Sequence, residues 1–199
     1  QAEDGIRDRD VTGVQTCALP ILPDFPVDAE VKYKDNLVNA YDNSIRYTDD
    51  FLARLIGMLQ EQNTDAAMLY SSDHGEDIFD DSRRLFLHAS PVPSYYQIHV
   101  PFLLWMSDSY RDHYPSLWEN TISNKQKNIS SSASFFHTML ELGGVTTPYR
   151  NDSLSVVNVL FTEKPRVYLN DHNEARSLNE IGMGEEDFEM LQQKGILYR

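Results

Sequence analysis

The sequence predicts an α/β fold, and three observations carry that expectation. A stretch with helical periodicity, from about Val31 to Gln62, leads into a short apolar segment at 66–70. That segment ends in the polar motif Asp73-His74-Gly75-Glu76, and a second apolar segment, "HVPFLLWMS", follows later in the chain. A helix feeding a strand with metal-ligand side chains beyond its carboxyl end is a half-unit of an α/β sheet, where ligands gather at strand ends.

Taken in order, "LPDFPVDAEVKYKDN" at 22–36 reads as a loop entering a helix. Leu37, Tyr41, Ile45, Leu52, Leu55 and Leu59 then recur at helical spacings, with Asp49 and Asp50 on the other side. "NTDAAMLYSS" supplies a turn and a strand at 66–70. Residues 77–97 are polar, aromatic and proline-containing and read as a long loop over the strand end. "HVPFLLWMS" reads as the next buried strand, and "SASFFHTMLELGGV" as an amphipathic helix stopped by Gly143 and Gly144. A hairpin-like tail follows, with "PRVYLN" as a strand and "GEEDFEMLQQKG" as a terminal helix. There is no internal repeat and no low-complexity segment.

Length and composition set the outer limits. The 199 residues suffice for one domain with a real core, and 41% hydrophobic with 24% charged residues is a soluble globular balance. The longest apolar run, "VPFLLWM" at 100–106, is too short to cross a bilayer. No signal-peptide pattern opens the sequence. The net charge of -14 argues against nucleic acid as a partner. It leaves room for a phosphate-bearing substrate, because bound cations can reverse the local field.

Residues 1–21, "QAEDGIRDRDVTGVQTCALPI", have neither helical nor strand period. They resemble the translation of a sequencing-library adapter, with an index supplying Arg9 and Asp10 and Leu22 as the junction. The expectation is that this segment is non-native and disordered. Setting it aside leaves 15 basic against 27 acidic residues, and it removes Cys17, the one cysteine. Residues 22–199 are then expected to be the native part of the chain.

The motif at 73–76 carries the chemistry. A carboxylate and an imidazole side by side are ligands for a divalent metal, the glycine permits a tight turn, and Glu76 can orient an imidazole from behind. Two ligands do not close a zinc site, and the motif alone also fits an ordinary polar turn.

Together with "FLHASP", "HVPFLLWMS" and "NAYDNSIRYTDDFLARLI", the motif "SSDHGED" resembles the catalytic domain of bacterial phosphoethanolamine transferases, of the alkaline phosphatase and sulfatase superfamily. The resemblance runs from roughly residue 33 to 145. It implies that residues 22–199 are the carboxyl-terminal part of a catalytic domain, a sulfatase-like sandwich with a central, mostly parallel sheet flanked by helices, whose first strands are missing. It implies zinc, one catalytic ion or two, with Asp73 and His74 as ligands and His88 holding a second metal or the transferred phosphate. The loop before His88 is about two residues longer than is usual in that family. The resemblance further implies a threonine nucleophile and an acidic zinc ligand upstream of Leu22, so this chain alone is expected to be inactive. It implies phosphatidylethanolamine as donor, lipid A, lipopolysaccharide core or another envelope glycan as acceptor, and anchoring in the bacterial inner membrane with the catalytic domain facing the periplasm.

Other readings stay open at this point. A sulfatase or a phosphoglycerol transferase shares the metal pair, and a catalytically inactive domain could serve as a binding module. Among the remaining histidines, His99 flanks a strand, His113 reads as surface and His137 as a satisfied helix residue. Asp171-His172 repeats the Asp-His pairing without a supporting motif.

Overall fold

The structure, a computed structural model, describes residues 30–88, 92–169 and 174–196. The segment 1–21 and the pair Asp171-His172 therefore lie outside the described residues. The chain divides into two units, one of Gln1–Met58 with Asp77–Leu87, the other of Leu59–Glu76 with His88–Arg199.

In the first unit a 3-10 turn, Val31–Tyr33, opens helix α1, Lys34–Glu61, close to the range expected from periodicity. Two-residue strands β2 (Asp77–Ile78) and β3 (Phe86–Leu87) pair antiparallel. Leu37, Ile78 and Phe79 are buried with Tyr41 and Phe86 against them, and the Phe79 and Phe86 rings stack at 5.1 Å. Lys34 Nζ donates to the Phe79 carbonyl at 2.6 Å. Of the six positions of the helical stripe, only Leu37 is buried, and Ile45 remains 53% exposed.

The second unit holds strand β1, Ala67–Ser71, paired antiparallel with β4, Phe102–Met106, in the register Leu69↔Leu104. Between them lies the short helix α2, Tyr95–Ile98. Helices α3 (Asp108–His113), α4 (Pro115–Asn124) and α5 (Ser131–Leu142) follow. Ser107 starts α3 by accepting from the Tyr110 amide, and Pro115 opens α4, where its missing N–H costs nothing. Gly144, at φ +63, ends α5 in the left-handed region that favours glycine. The tail forms β5 (Val167–Leu169), β6 (Ala175–Ser177) and α6 (Glu185–Gln193). Met106, Tyr110, Val156, Val157 and Phe161 make one core of this unit, and Tyr95, Leu178, Met183 and Leu191 a second.

The class is α/β, as expected. All three strand pairs among the described residues are antiparallel. Parallel neighbours need a crossover helix covering the sheet. The 77–97 stretch supplies instead the β2–β3 hairpin and a single turn of helix.

Candidate metal centre

The site grows from the carboxyl end of β1. Gly75 donates its amide to the Gln97 carbonyl at 2.8 Å, which ties the motif loop to α2. A Cβ at residue 75 would sit 2.1 Å from the Tyr96 carbonyl oxygen, so only glycine permits this approach. Helix α2 is itself held from the tail. Asp187, 1% exposed, accepts from the Tyr95 amide at 2.8 Å and from the Gly184 amide at 3.1 Å.

On this loop the two members of the Asp-His pair face one another. His74 Nδ1 lies 3.1 Å from the Gly75 carbonyl. A carbonyl only accepts, so in this contact Nδ1 carries the proton, and in the neutral ring that leaves the lone pair on Nε2. That lone pair stands 3.6 Å from Asp73 Oδ2. Two acceptors at that separation suit a cation between them. The His74 amide donates to Asp73 Oδ1 at 3.0 Å and holds the Asp73 carboxyl below its ordinary range, so it is charged at neutral pH.

Glu76 directly precedes β2 and His88 directly follows β3. The register Asp77↔Leu87 sets these outer neighbours opposite each other. His88 Nδ1 is 2.9 Å from Glu76 Oε1, while His74 Nδ1 is 3.8 Å from the same oxygen. The glutamate thus lies closer to His88 than to His74. With Nδ1–H donated to Glu76, His88 Nε2 is free to bind a metal or accept a proton. The two imidazoles lie against each other with ring centroids 3.7 Å apart. Ligand atoms of His74, Glu76 and His88 all fall within 4.8 Å of one another. Glu76 Oε2 is buried and has no hydrogen-bond partner. A buried, charged oxygen left without a donor is costly, and a cation would relieve it. This donor set of imidazole nitrogens and carboxylate oxygens fits zinc.

The other described histidines are engaged elsewhere. His99 Nδ1 lies 2.7 Å from the Tyr95 hydroxyl, and burial pushes its pKa down. His113 Nδ1 is 2.7 Å from Asp65. His137 Nδ1 accepts from the Asn151 amide at 3.1 Å. Sequence reasoning missed Gln97 and Asp187, which shape the loop through partners far along the chain and leave no local motif.

The geometry stands beside clear relationships. A sulfatase family profile matches residues 8–145, beginning inside the stretch that resembles an adapter. The phosphoethanolamine transferase EptA of Escherichia coli K12 is 34% identical over 121 residues, covering 58% of this chain and 22% of that protein. The Kdo(2)-lipid A phosphoethanolamine 7''-transferase of the same organism is 35% identical over 82 residues, covering 40% of this chain and 14% of its own. The C-terminal periplasmic domain of Escherichia coli EptC, solved in complex with zinc, superposes with a TM-score of 0.60 at 24% identity, over 82% of this chain and 45% of that one. The chain thus spans about a fifth or less of the length of the curated relatives it matches. The match over more than half its residues settles the lineage: this chain belongs to the sulfatase family.

Proposed function

We propose that the chain carries part of the metal site of a phosphoethanolamine transferase, and that the whole protein moves phosphoethanolamine from phosphatidylethanolamine to lipid A or another envelope glycan. The observation that carries this is the His74 lone pair facing Asp73 Oδ2, with the Glu76–His88 pair behind it. Sequence identity to named transferases supports the reaction class.

Asp73 and His74 would hold zinc, with His88 serving a second metal or the transferred phosphate and Glu76 fixing the His88 ring. When bound, the metal would supply a Lewis acid that lowers the pKa of a hydroxyl nucleophile and neutralises phosphoryl charge. The residues of this chain do the holding. The Gly75 carbonyl fixes the His74 tautomer, and the Gln97 carbonyl fixes the loop. In this reading the nucleophile is a threonine supplied by a part of the protein other than residues 22–199. The whole protein would sit at the inner membrane and face the periplasm. No described helix of this chain is long and apolar enough to cross a membrane.

The test follows labelled phosphoethanolamine from a phospholipid to an acceptor, using a chain extended to the length of its relatives. Asp73→Asn and His74→Ala should each nearly abolish turnover rather than only raise KM, since both remove a metal ligand. His88→Ala should cost roughly a hundredfold if it stabilises developing charge. A well-folded His74→Ala protein with wild-type turnover would refute the metal role.

A further inference from the structure

Residues 153–162, within the second unit, form a loop whose neck is closed by the Thr162 amide donating to the Ser153 carbonyl at 3.1 Å. Val156, Val157 and Phe161 turn inward and are buried. The Phe161 amide donates to the Asn158 carbonyl at 3.1 Å, so Asn158–Phe161 is a β-turn with Val159 and Leu160 at its corners. These two side chains are 75% and 60% exposed. Turn corners ordinarily go to Gly, Pro, Asn, Asp or Ser, and an aliphatic pair gains nothing there from water.

The tip is not slack chain. Asn120 Nδ2 donates to the Val157 carbonyl at 3.1 Å, and Asn124 Nδ2 to those of Val156 and Asn158 at 3.0 and 2.9 Å. The Asn158 side chain accepts from the Leu160 amide at 2.9 Å and donates to Glu141 at 2.7 Å. Held on both flanks, the turn keeps Val159 and Leu160 outside. Lysines gather beside them. Lys127 Nζ donates to the Phe161 carbonyl at 2.9 Å, which sets its ammonium next to Leu160. Lys125 is exposed one residue past the Asn124 that grips the turn, and Lys164 is exposed shortly after Phe161. Among the described residues none of these lysines pairs with a carboxylate. Glu163, the acidic neighbour of Lys164, directs its oxygens to Asn128. In a chain of net charge -14 this is a local reversal of sign.

We infer that the Asn158–Phe161 turn is a docking tip for an anionic lipid surface, with Val159 and Leu160 entering the acyl boundary and Lys125, Lys127 and Lys164 meeting lipid phosphates. Aliphatic side chains ringed by lysines suit that boundary, which is apolar within and negative at its face. An apolar groove on a protein would answer only the aliphatic half of the tip. The remaining acidic residues oppose docking at a distance. At about 0.1 M salt the Debye length is about 10 Å, so they are screened while the lysines beside the surface still act. The inference uses neither the metal nor the transferase reading.

Flotation of the 199-residue chain with vesicles of phosphatidylglycerol or of phosphatidylcholine tests this, at about 0.1 M salt. Wild type should float with phosphatidylglycerol and much less with phosphatidylcholine. Val159→Asp combined with Leu160→Asp should weaken phosphatidylglycerol binding about tenfold or more, and Lys125→Gln combined with Lys164→Gln about as much. Phe136→Asp, at an exposed apolar residue of α5, should leave it unchanged. A wild-type chain that floats with neither lipid overturns the proposal, as does equal binding by wild type and the aspartate pair. An equal loss in Phe136→Asp does the same, since it marks general stickiness rather than a tip. A chain that stays off vesicles but dimerises through Val159 and Leu160 assigns the turn to a second copy instead. Should the aspartate pair fail to fold, Val159→Cys in a Cys17→Ser background, carrying a polarity-sensitive dye, decides. Its emission must shift to the blue on phosphatidylglycerol vesicles, and an unmoved spectrum refutes the docking.

Discussion

At one end of β1, His113 Nδ1 stands 2.7 Å from Asp65; at the other, His88 Nδ1 stands 2.9 Å from Glu76. The two pairs share chemistry, distance and strand. They differ in what is left over. Asp65 meets His113 with both oxygens, at 2.9 and 2.7 Å, and among the described residues no third ligand group joins them. Glu76 keeps a buried oxygen without a partner, and His74 brings a second imidazole with a lone pair turned toward Asp73. A carboxylate–imidazole pair is thus an ordinary structural contact until unsatisfied groups converge beside it.

The largest effect on that contrast should come from Gly75→Ala. The new Cβ would overlap the Tyr96 carbonyl, so α2 or the motif loop must move. Stability should fall by roughly 2 kcal/mol or more by the usual cost of overpacking. Zinc binding should weaken with it, while the Asp65–His113 contact persists. Urea denaturation and zinc titration on the same samples would show this. Unchanged affinity and stability would mean the loop is not held as described.

Asp187→Ala should come next. It strips the Tyr95 and Gly184 amides of their acceptor in a buried setting, for a loss of about 1–3 kcal/mol. The loss should reach the metal loop through α2, appearing as faster hydrogen exchange at the Gly75 amide. If exchange there stays at the wild-type rate, the tail does not support the site.

The smallest effect belongs to the Asp65–His113 pair. Its hydrogen bond raises the His113 pKa, so its contribution is complete below the ordinary histidine range, about pH 6.5, and fades as pH rises through the raised value. The same contact lowers the Asp65 pKa, so the contribution is also lost in acid as pH falls through that lowered value. Both groups reach solvent, which keeps the effect slight. His113→Ala should lower the melting temperature a little near pH 5.5 and by less near pH 8.5, on either side of that range. A difference that grows with pH would reverse the assignment.

These contrasts also show what the sequence could and could not reveal. The long helix and the motif strand were legible because apolar spacing and a terminal polar cluster are local signals. Ser107 before α3 and Pro115 at the start of α4 were signals of the same kind, and they went unread. The β2–β3 hairpin reads as loop in the sequence because two-residue strands carry no periodicity, and this hides the closeness of Glu76 to His88. Asp187 lies 92 residues from Tyr95 and looks like any acidic first-turn residue. Ile45 shows the opposite failure: it keeps the stripe's spacing yet is exposed, because periodicity marks a face without saying what covers it.

The central claim is that Asp73 and His74 hold the metal, with His88 serving a second metal or the phosphate and Glu76 fixing the His88 ring. Zinc calorimetry on residues 22–199, with His74→Ala and His113→Ala beside wild type, tests it most directly. Wild type should bind zinc more weakly than about micromolar, since much of the coordination sphere is left to water. His74→Ala should abolish this binding, and His113→Ala should leave it unchanged. Binding that survives His74→Ala, or that falls equally with His113→Ala, would contradict the claim.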